Sequence, residues 1–350
     1  MEVDFLLIGQ GLAGTVLSQR LLKAGKTVGL IDEPGKNKSS RVAAGLYNPV
    51  TGRKMVKTWN ADLLFPEIIP LYRELEDLLG IKIIYPRPIY RPFVSIEEQN
   101  EWMGKSGDEG FRGYIETVRM SSKYDEVNDP YGGILLKNCG FVDLAALLDA
   151  YTGWLNEKGF LVQSTFDEDK LIRKDDGFIY GEIKAKNLIY CNGIGAMKSR
   201  FFDWLPFAPV KGEILEINEE FKPYEIINRG VFRITMPDGL IRVGSTYSRH
   251  DLDTGPSSQG KRTILEKLEK LVHASDREII QHKSGIRPAT RDRRPFLGKY
   301  PQEKNVYIFN GFGAKGVSLV PYFSKVMLDL LIHGEEPEKG VNISRFFKYI

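Results

Sequence analysis

The sequence predicts an α/β chain with two interleaved domains. One is built on a mostly parallel sheet, and the other is α+β in character and built on an antiparallel sheet. Three observations carry this. The first thirty-three residues read as strand, glycine turn, helix and strand; the same strand and helix alternation returns after residue 140 and again near the end; and residues 210–247 hold short strands with no helix between them. A length of 350 residues accommodates about two domains of roughly 150 residues each.

The opening DFLLIGQGLAGTVLSQRLLKAGKTVGLIDE justifies the first element. Phe5 to Ile8 form an apolar run. Leu12, Val16, Leu17, Leu21 and Ala24 then recur at helical spacing, and Gly25 stands where a left-handed cap is expected. Gly9, Gly11 and Gly14 make G-x-G-x-x-G, in which the missing side chains serve in turn the bend, the approach of a pyrophosphate and the packing of helix on strand. Asp32 follows Gly14 by 18 residues at the end of the second strand, where a carboxylate can accept ribose hydroxyl protons. The unit therefore predicts a Rossmann-like dinucleotide site, and the motif by itself suits either NAD or FAD.

Further along, Ala61 to Leu79 have an apolar helical face closed by Gly80, with Pro66 and Pro70 opposing one straight helix. Short β-like runs and a polar helix near Glu97 to Lys105 make a first visit to the second domain. Asp143 caps a helix carrying Leu144, Leu147, Leu148, Tyr151 and Leu155, which Gly159 ends. KNLIYCNGIGA predicts a strand entering a second phosphate-side turn at Asn192, Gly193 and Gly195. VKGEILEI, GVFRIT and LIRVGSTY predict the antiparallel sheet, with MPDG as a hairpin turn. Ser257 to His273 read as an amphipathic helix, and VYIFNG, a glycine turn and a helix from about Gly316 to His333 complete the chain. The domains divide as 1–75, 140–205 and 280–350 against 76–139 and 206–279.

Composition narrows the function. Hydrophobic residues at 42% and charged residues at 27% exclude a disordered or collagen-like chain. A net charge of +3 gives little support to nucleic-acid or membrane binding. Cys139 and Cys191 lie far apart, as expected of core thiols in a reducing compartment. The four histidines, His250, His273, His282 and His333, have no metal spacing, so no metal is expected. The apolar run at Phe5 is too short to span a bilayer, and a cytoplasmic protein is expected. The basic run Arg291 to Arg294, broken by Asp292, reads as a solvated turn or as a contact for an anionic substrate or tRNA.

The ending SGIRPATRDRRPFLGKYP, followed by VYIFNGFGAKGVSLVPYFSKVMLDLL, closely resembles the C-terminal signature of the D-amino-acid oxidase superfamily. SSRVAAGLYNP at Ser39 to Pro49 is similar to the flavin-contacting loop of glycine oxidases. TRDRRPFLG and GFGAKG look most like the FAD domain of the bifunctional enzyme that strips a carboxymethyl group from a tRNA wobble-uridine side chain. The resemblance makes the parallel domain an FAD-binding one and the antiparallel domain the substrate domain.

It implies an FAD-dependent oxidoreductase that oxidises the C–N bond of a small primary or secondary amine or amino acid to an imine, by hydride transfer to flavin N5. Action on the tRNA side chain is the alternative. Arg287 in GIRP is placed at the substrate carboxylate, a task suited to a planar two-pronged donor, with a structural ion pair as its bland alternative. Phe232, standing where glycine oxidases carry a tyrosine, and Tyr47 complete the substrate set. Gly313, Ala314, Lys315, Gly316 and Val317 are placed around the flavin, where the helix beginning at Gly316 directs positive backbone dipoles at the ring. Ala43, Ala44, Gly45 and Leu46 supply a small-residue loop against it. Leu12, Ala13, Glu33, Ser40, Asn192 and Gly193 extend the cofactor set, and Phe166 either covers the adenine or packs in the core. The cysteine that binds flavin covalently in sarcosine oxidases is missing around Arg287 to Arg291, which implies non-covalent FAD. The electron acceptor, oxygen or another, stays open.

Overall fold

The computed structural model describes residues 1–350 except 34, 36–38, 53–54, 253–254 and 274–275. The run Phe5 to Ile8 forms part of the strand Glu2–Ile8, the centre of an eight-stranded sheet. Val28–Asp32 and then Leu161–Gln163 pair in parallel on one side, and Ile183–Tyr190 pairs in parallel on the other. Val306–Asn310 continues the parallel order beyond Tyr190, whereas Gly177–Tyr180 and Leu171–Lys174 turn back antiparallel at the far end of the same strand.

Both faces of this sheet are covered, which explains an unbroken apolar run where a half-exposed strand would alternate. Phe5 and Leu7 pack with Val16, Leu17 and Leu21 of the helix Leu12–Lys23 and with Tyr151 and Met327 of two further helices, Leu144–Glu157 and Gly316–His333. Leu6 and Ile8 face Phe178, Ile183, Phe202 and Phe296 on the other side. The predicted stops hold: Gly25 takes φ +74°, and Gly80 takes φ +66°. Ala61 to Leu79 splits at the first proline into helix Ala61–Leu64, a 3-10 turn Phe65–Glu67 and helix Ile68–Leu79.

The second large sheet also has eight strands, in the order Glu278–Arg287, Val210–Asn218, Ile241–Gly244, Val231–Thr235, Ile226–Arg229, Ile89–Pro92, Gly133–Leu136 and Ile115–Arg119. Every neighbour pair is antiparallel except Ile226–Arg229 with Ile89–Pro92. Helix Ser258–Glu269 covers one face through Ile264 and Leu268, against Leu215, Ile217 and Val243. It ends earlier than the periodicity predicts, because Val272 leaves the helix to bridge Val127. The MPDG turn forms, with the Gly239 amide donating to Met236 O at 3.0 Å.

Pairing moves one predicted boundary. Residue 280 falls inside Glu278–Arg287, which pairs with Val210–Asn218 from Asn218↔Glu278 to Val210↔Arg287, so the chain leaves the antiparallel sheet only after Arg287. A small sheet of Leu46–Tyr47, Gly140–Val142 and Ile84–Pro86 links the two layers.

Candidate active site

A cleft of about 1890 Å³ runs between the carboxyl ends of the parallel strands and the uncovered face of the antiparallel sheet. That is the position in which open α/β sheets bind ligands. At its inner end the chain bends sharply after Ile8. Gly9 takes φ +100°, and a Cβ there would stand 2.7 Å from Asn192 Cα; a Cβ on Gly14 would stand 2.0 Å from Gly9 O. The helix therefore starts hard against the turn, and its backbone N–H groups open on the cleft. Its N-cap residue, Gly11, has no side chain to cap it and its first turn holds no acid, which leaves amides of its positive end for an anion.

The surrounding loops are held by named bonds. The Gln10 amide donates to Asp32 Oδ1 at 2.9 Å, and the Leu12 amide donates to Ser40 Oγ at 3.3 Å. The Val142 amide donates to Gly45 O at 3.0 Å, which pins the Ala43 to Leu46 loop. From the other end of the chain, the Gly313 amide donates to Pro288 O at 3.2 Å, tying the second glycine turn to the end of the Arg287 strand. Lys315 precedes Gly316–His333, a second helix with no side-chain cap. Burial and the charges of Arg293 and Arg294 push its ammonium pKa below the ordinary lysine value.

Most of the predicted residues meet here. Gly9, Gly11, Leu12, Ala13, Asp32, Glu33, Ser40, Phe166, Asn192, Gly193, the Ala43 to Leu46 loop, the Gly313 to Val317 segment, Phe232 and Arg287 all line the cleft. Gly14 does not line it and serves packing. Tyr47 is the exception among the substrate residues. Successive residues of a strand point to opposite faces, so Leu46 meets the cleft and Tyr47 turns into the core, 6.5 Å from the Phe65 ring. Burial pushes its phenol pKa up. Phe166 lines the cleft and also packs on Tyr180, ring centroids 4.9 Å apart. No histidine among the described residues lines the cleft, and His282 instead faces Glu213 at 2.8 Å.

These residues fit FAD. A Cβ on Gly11 would meet only Ser40 Oγ, at 3.3 Å, so the backbone is open to a pyrophosphate on the cleft side. Two helix starts whose N-cap residues make no side-chain cap, at Leu12 and Gly316, supply positive ends, and Asn192 Oδ1 is buried in the cleft wall without a hydrogen bond.

Arg287 reaches over Gly212, where a Cβ would lie 2.0 Å from its Nη2. The guanidinium donates to Ser245 Oγ at 2.8 Å and Thr246 O at 3.2 Å, and among the described residues no carboxylate pairs with it. Burial pulls its pKa below the ordinary arginine value. Gly212, Ser245, Asn228, Arg91 and Arg229 also line this half of the cleft and carry no local sequence motif.

The DAO profile, FAD dependent oxidoreductase, matches residues 4–330. Glycine oxidase of Pseudomonas putida KT2440 is 27% identical over 192 residues, 53% of this chain and 49% of that protein; the match to glycine oxidase of Pseudomonas aeruginosa PAO1 covers 44% of its length. The chain thus aligns with about half the length of these relatives. Glycine oxidase of Bacillus licheniformis is 24% identical over 94% of this chain and 93% of its own. In structure, iminodiacetate oxidase from Chelativorans sp. BNC1 superposes with a TM-score of 0.79 at 20% identity, covering 98% of each chain. Glycine oxidase from Geobacillus kaustophilus gives 0.78 at 20% identity, covering 99% of this chain and 98% of its own. At such identities the superpositions show a shared fold. No helix among the described residues is long and apolar enough to cross a membrane. With the profile spanning nearly the whole chain and the cleft fitting the dinucleotide, this protein belongs to the DAO family of FAD-dependent oxidoreductases.

Proposed function

We propose that this enzyme oxidises the C–N bond of a small amino acid, a primary or secondary amine bearing a carboxylate, and that it holds FAD non-covalently. The observation that carries the reading is Arg287, a partly desolvated guanidinium facing the cleft with no carboxylate of the described chain against it. Removing a cation from water without a counter-ion is costly, so the site favours a ligand that brings the missing charge. Glycine oxidases, D-amino acid dehydrogenases and iminodiacetate oxidase are the proteins this chain resembles, and each is named for a carboxylated amine.

FAD held by the Gly9 to Gly14 turn, the Ala43 to Leu46 loop and the Gly313 to Val317 segment would supply a two-electron acceptor for the hydride lost from the carbon beside nitrogen, and water would hydrolyse the resulting imine. The chain's contribution is placement. Ser245 Oγ and Thr246 O hold the Arg287 guanidinium across the mouth of Gly212, which fixes where the carboxylate docks. Phe232 and Ile214 line the same wall and keep water from the reacting carbon. No carboxylate or histidine among the described residues stands on the sheet side of the cleft, so the amine is to be bound already neutral.

Anaerobic mixing with a panel of amines and amino acids tests the reading. Carboxylated amines should bleach the flavin band and their decarboxylated counterparts should not. Bleaching only by tRNA carrying a carboxymethylaminomethyl group, and strongly inhibited by salt, would move the reading to the macromolecular substrate.

A further inference from the structure

The Arg287 guanidinium is held at an irregularity of the sheet ladder. Val210–Asn218 and Ile241–Gly244 pair regularly as far as Ile214↔Gly244. Pairing resumes at Lys211↔Ser248, where each amide donates to the other residue's carbonyl, at 2.8 and 3.0 Å. Three steps along the first strand thus face four along the second, and the extra residue makes a β-bulge. The bulge holds Ser245 and Thr246, the two residues to which Arg287 donates.

Inside the bulge one ladder bond has changed its acceptor. In a hydrogen-bonded antiparallel pair the two residues exchange both N–H···O bonds. Glu213 and Thr246 stand opposite each other as such a pair, and the Thr246 amide donates to Glu213 O at 3.2 Å. The return bond is different. The Glu213 amide donates to Thr246 Oγ1 at 2.9 Å, and the Thr246 carbonyl instead accepts from Arg287 Nη1 at 3.2 Å. A threonine hydroxyl can take such a backbone partner. Here it satisfies a buried amide, which would be costly to leave unpaired, and so releases the carbonyl for the guanidinium.

The donor of that bond is fixed from behind. Glu213 is 2% exposed, and its carboxylate accepts from the Ser257 amide at 2.8 Å and the Ser257 hydroxyl at 2.7 Å, at the start of helix Ser258–Glu269. A Cβ on Gly260 would stand 2.3 Å from Glu213 Oε2, so the helix sits directly on this carboxylate. On the cleft side the guanidinium lies over Gly212, the residue before Glu213. Contacts therefore run without a break from the helix through Glu213 and Thr246 to Arg287. Ser245 and Thr246 each take one N–H of the guanidinium, which keeps its other donors for a ligand.

We infer that Thr246 is a positioning residue of the carboxylate site: its hydroxyl takes the place of its own carbonyl in the sheet ladder, and the carbonyl so freed sets the orientation of Arg287. The inference rests on the Arg287 reading above and deepens it. Thr246 acts through Arg287 and touches no reacting atom. Without the hydroxyl, the Glu213 amide takes back the Thr246 carbonyl and the two residues become an ordinary ladder pair. The guanidinium then loses one of the two acceptors it has among the described residues.

Binding measured without turnover tests it. An S-alkylthioacetate, in which sulfur replaces the reacting nitrogen, and its carboxamide are titrated into the flavin-loaded enzyme, with perturbation of the flavin spectrum as the readout. The wild type should bind the acid at least about tenfold tighter than the amide, and Arg287→Gln should abolish that preference. Thr246→Val should weaken acid binding about three- to tenfold and leave the amide Kd unchanged, whereas Thr246→Ser, which keeps the hydroxyl, should bind the acid within about twofold of wild type. In the Arg287→Gln background Thr246→Val should change neither Kd, because one residue acts through the other. Flavin content and melting temperature report whether each variant is folded, and Thr246→Ala, with the same expectations, replaces the valine variant if that one does not fold. A threonine that serves only the fold predicts a lower melting temperature with the acid preference intact. That result, a loss shared equally by acid and amide, a serine variant as weak as the valine one, or a loss that persists in the Arg287→Gln background would overturn the inference and leave the Arg287 reading standing. If the wild type does not prefer the acid, the Arg287 reading itself fails and the inference falls with it.

Discussion

Replacing Arg287 by leucine should separate binding from folding, because the two respond with opposite signs. The guanidinium donates to Ser245 Oγ and Thr246 O and meets no carboxylate among the described residues. Its removal deletes a partly desolvated cation and leaves one hydroxyl and one carbonyl that can reach solvent in the cleft. Stability should therefore hold or rise slightly, since an unpaired buried charge opposes folding. Substrate binding should suffer. A charge-assisted pair contributes about 1.5–3 kcal/mol, and ~1.4 kcal/mol is a factor of ten, so flavin reduction by a carboxylated amine should lose roughly ten- to 150-fold in efficiency. Gly212→Ala offers the same test with the charge kept. Its Cβ would lie 2.0 Å from Arg287 Nη2 and 2.2 Å from Cζ, so the guanidinium must leave its place. Anaerobic stopped-flow reduction, paired with thermal melts and flavin content, measures all of this. A variant that melts several degrees lower while reducing as fast as wild type would show that Arg287 is a strut of the sheet, and the substrate reading would be lost.

Other perturbations follow from the same geometry. Gly11→Val should fold and lose FAD, because a Cβ there meets only the Ser40 hydroxyl within the protein, whereas Gly14→Val should fail to fold, since its Cβ lands 2.0 Å from Gly9 O; full flavin occupancy in Gly11→Val would count against the pyrophosphate assignment. Acid denaturation of the holoprotein should release all flavin into the supernatant, and colour remaining on the precipitated chain would mean a covalent link. Glu76→Leu should destabilise the fold by about 1–3 kcal/mol for each amide it orphans, those of Ile83 and Ile84, which donate to Glu76 at 2.7 and 2.9 Å. These amides and Arg73 hold the Glu76 carboxyl below its ordinary 4.5 against the opposing cost of burial. The stability that its charge contributes is thus complete above pH 4.5 and declines as pH falls through the lowered value, so wild type and variant should converge in acid and not in base. A gap in melting temperature that widens below pH 4 would contradict this.

What could be read from the sequence depended on whether the determining contacts were local. Strand, turn, helix, cap and Asp32 of the dinucleotide unit fall within thirty-two consecutive residues, and each is set by its neighbours' periodicity or by a glycine's missing side chain. Pro66 breaks its helix where its ring demands. Tyr47 was placed wrongly because Leu46–Tyr47 is a strand of two residues, and only its pairing with Gly140 and Phe141 decides which of the two faces the cleft. Boundary 280 failed for the same reason, since the membership of Glu278–Arg287 is decided by partners near residue 214. Gly212 reads as an ordinary member of VKGEILEI until the sheet forms and shows that its side chain would displace Arg287.

The electrostatics of the cleft are the extreme case of this dependence. Composition returns a net charge of +3 and argues against any strong field. Yet Arg91, Arg229, Lys267 and Arg287 come from four separate segments, and the strand order and the parallel joint at Ile227↔Tyr90 bring them to one side of one cleft, while six carboxylates line the rest together with Lys170, Lys198, Arg200 and Lys315. A whole-chain charge sums every group without regard to place, whereas a ligand within a Debye length, ~8–10 Å, meets only the groups beside it. The charge that lines the cleft is therefore a property of topology: moving Ile89–Pro92 to another edge of the sheet would leave composition, motifs and net charge unchanged and would take Arg91 out of the cleft wall.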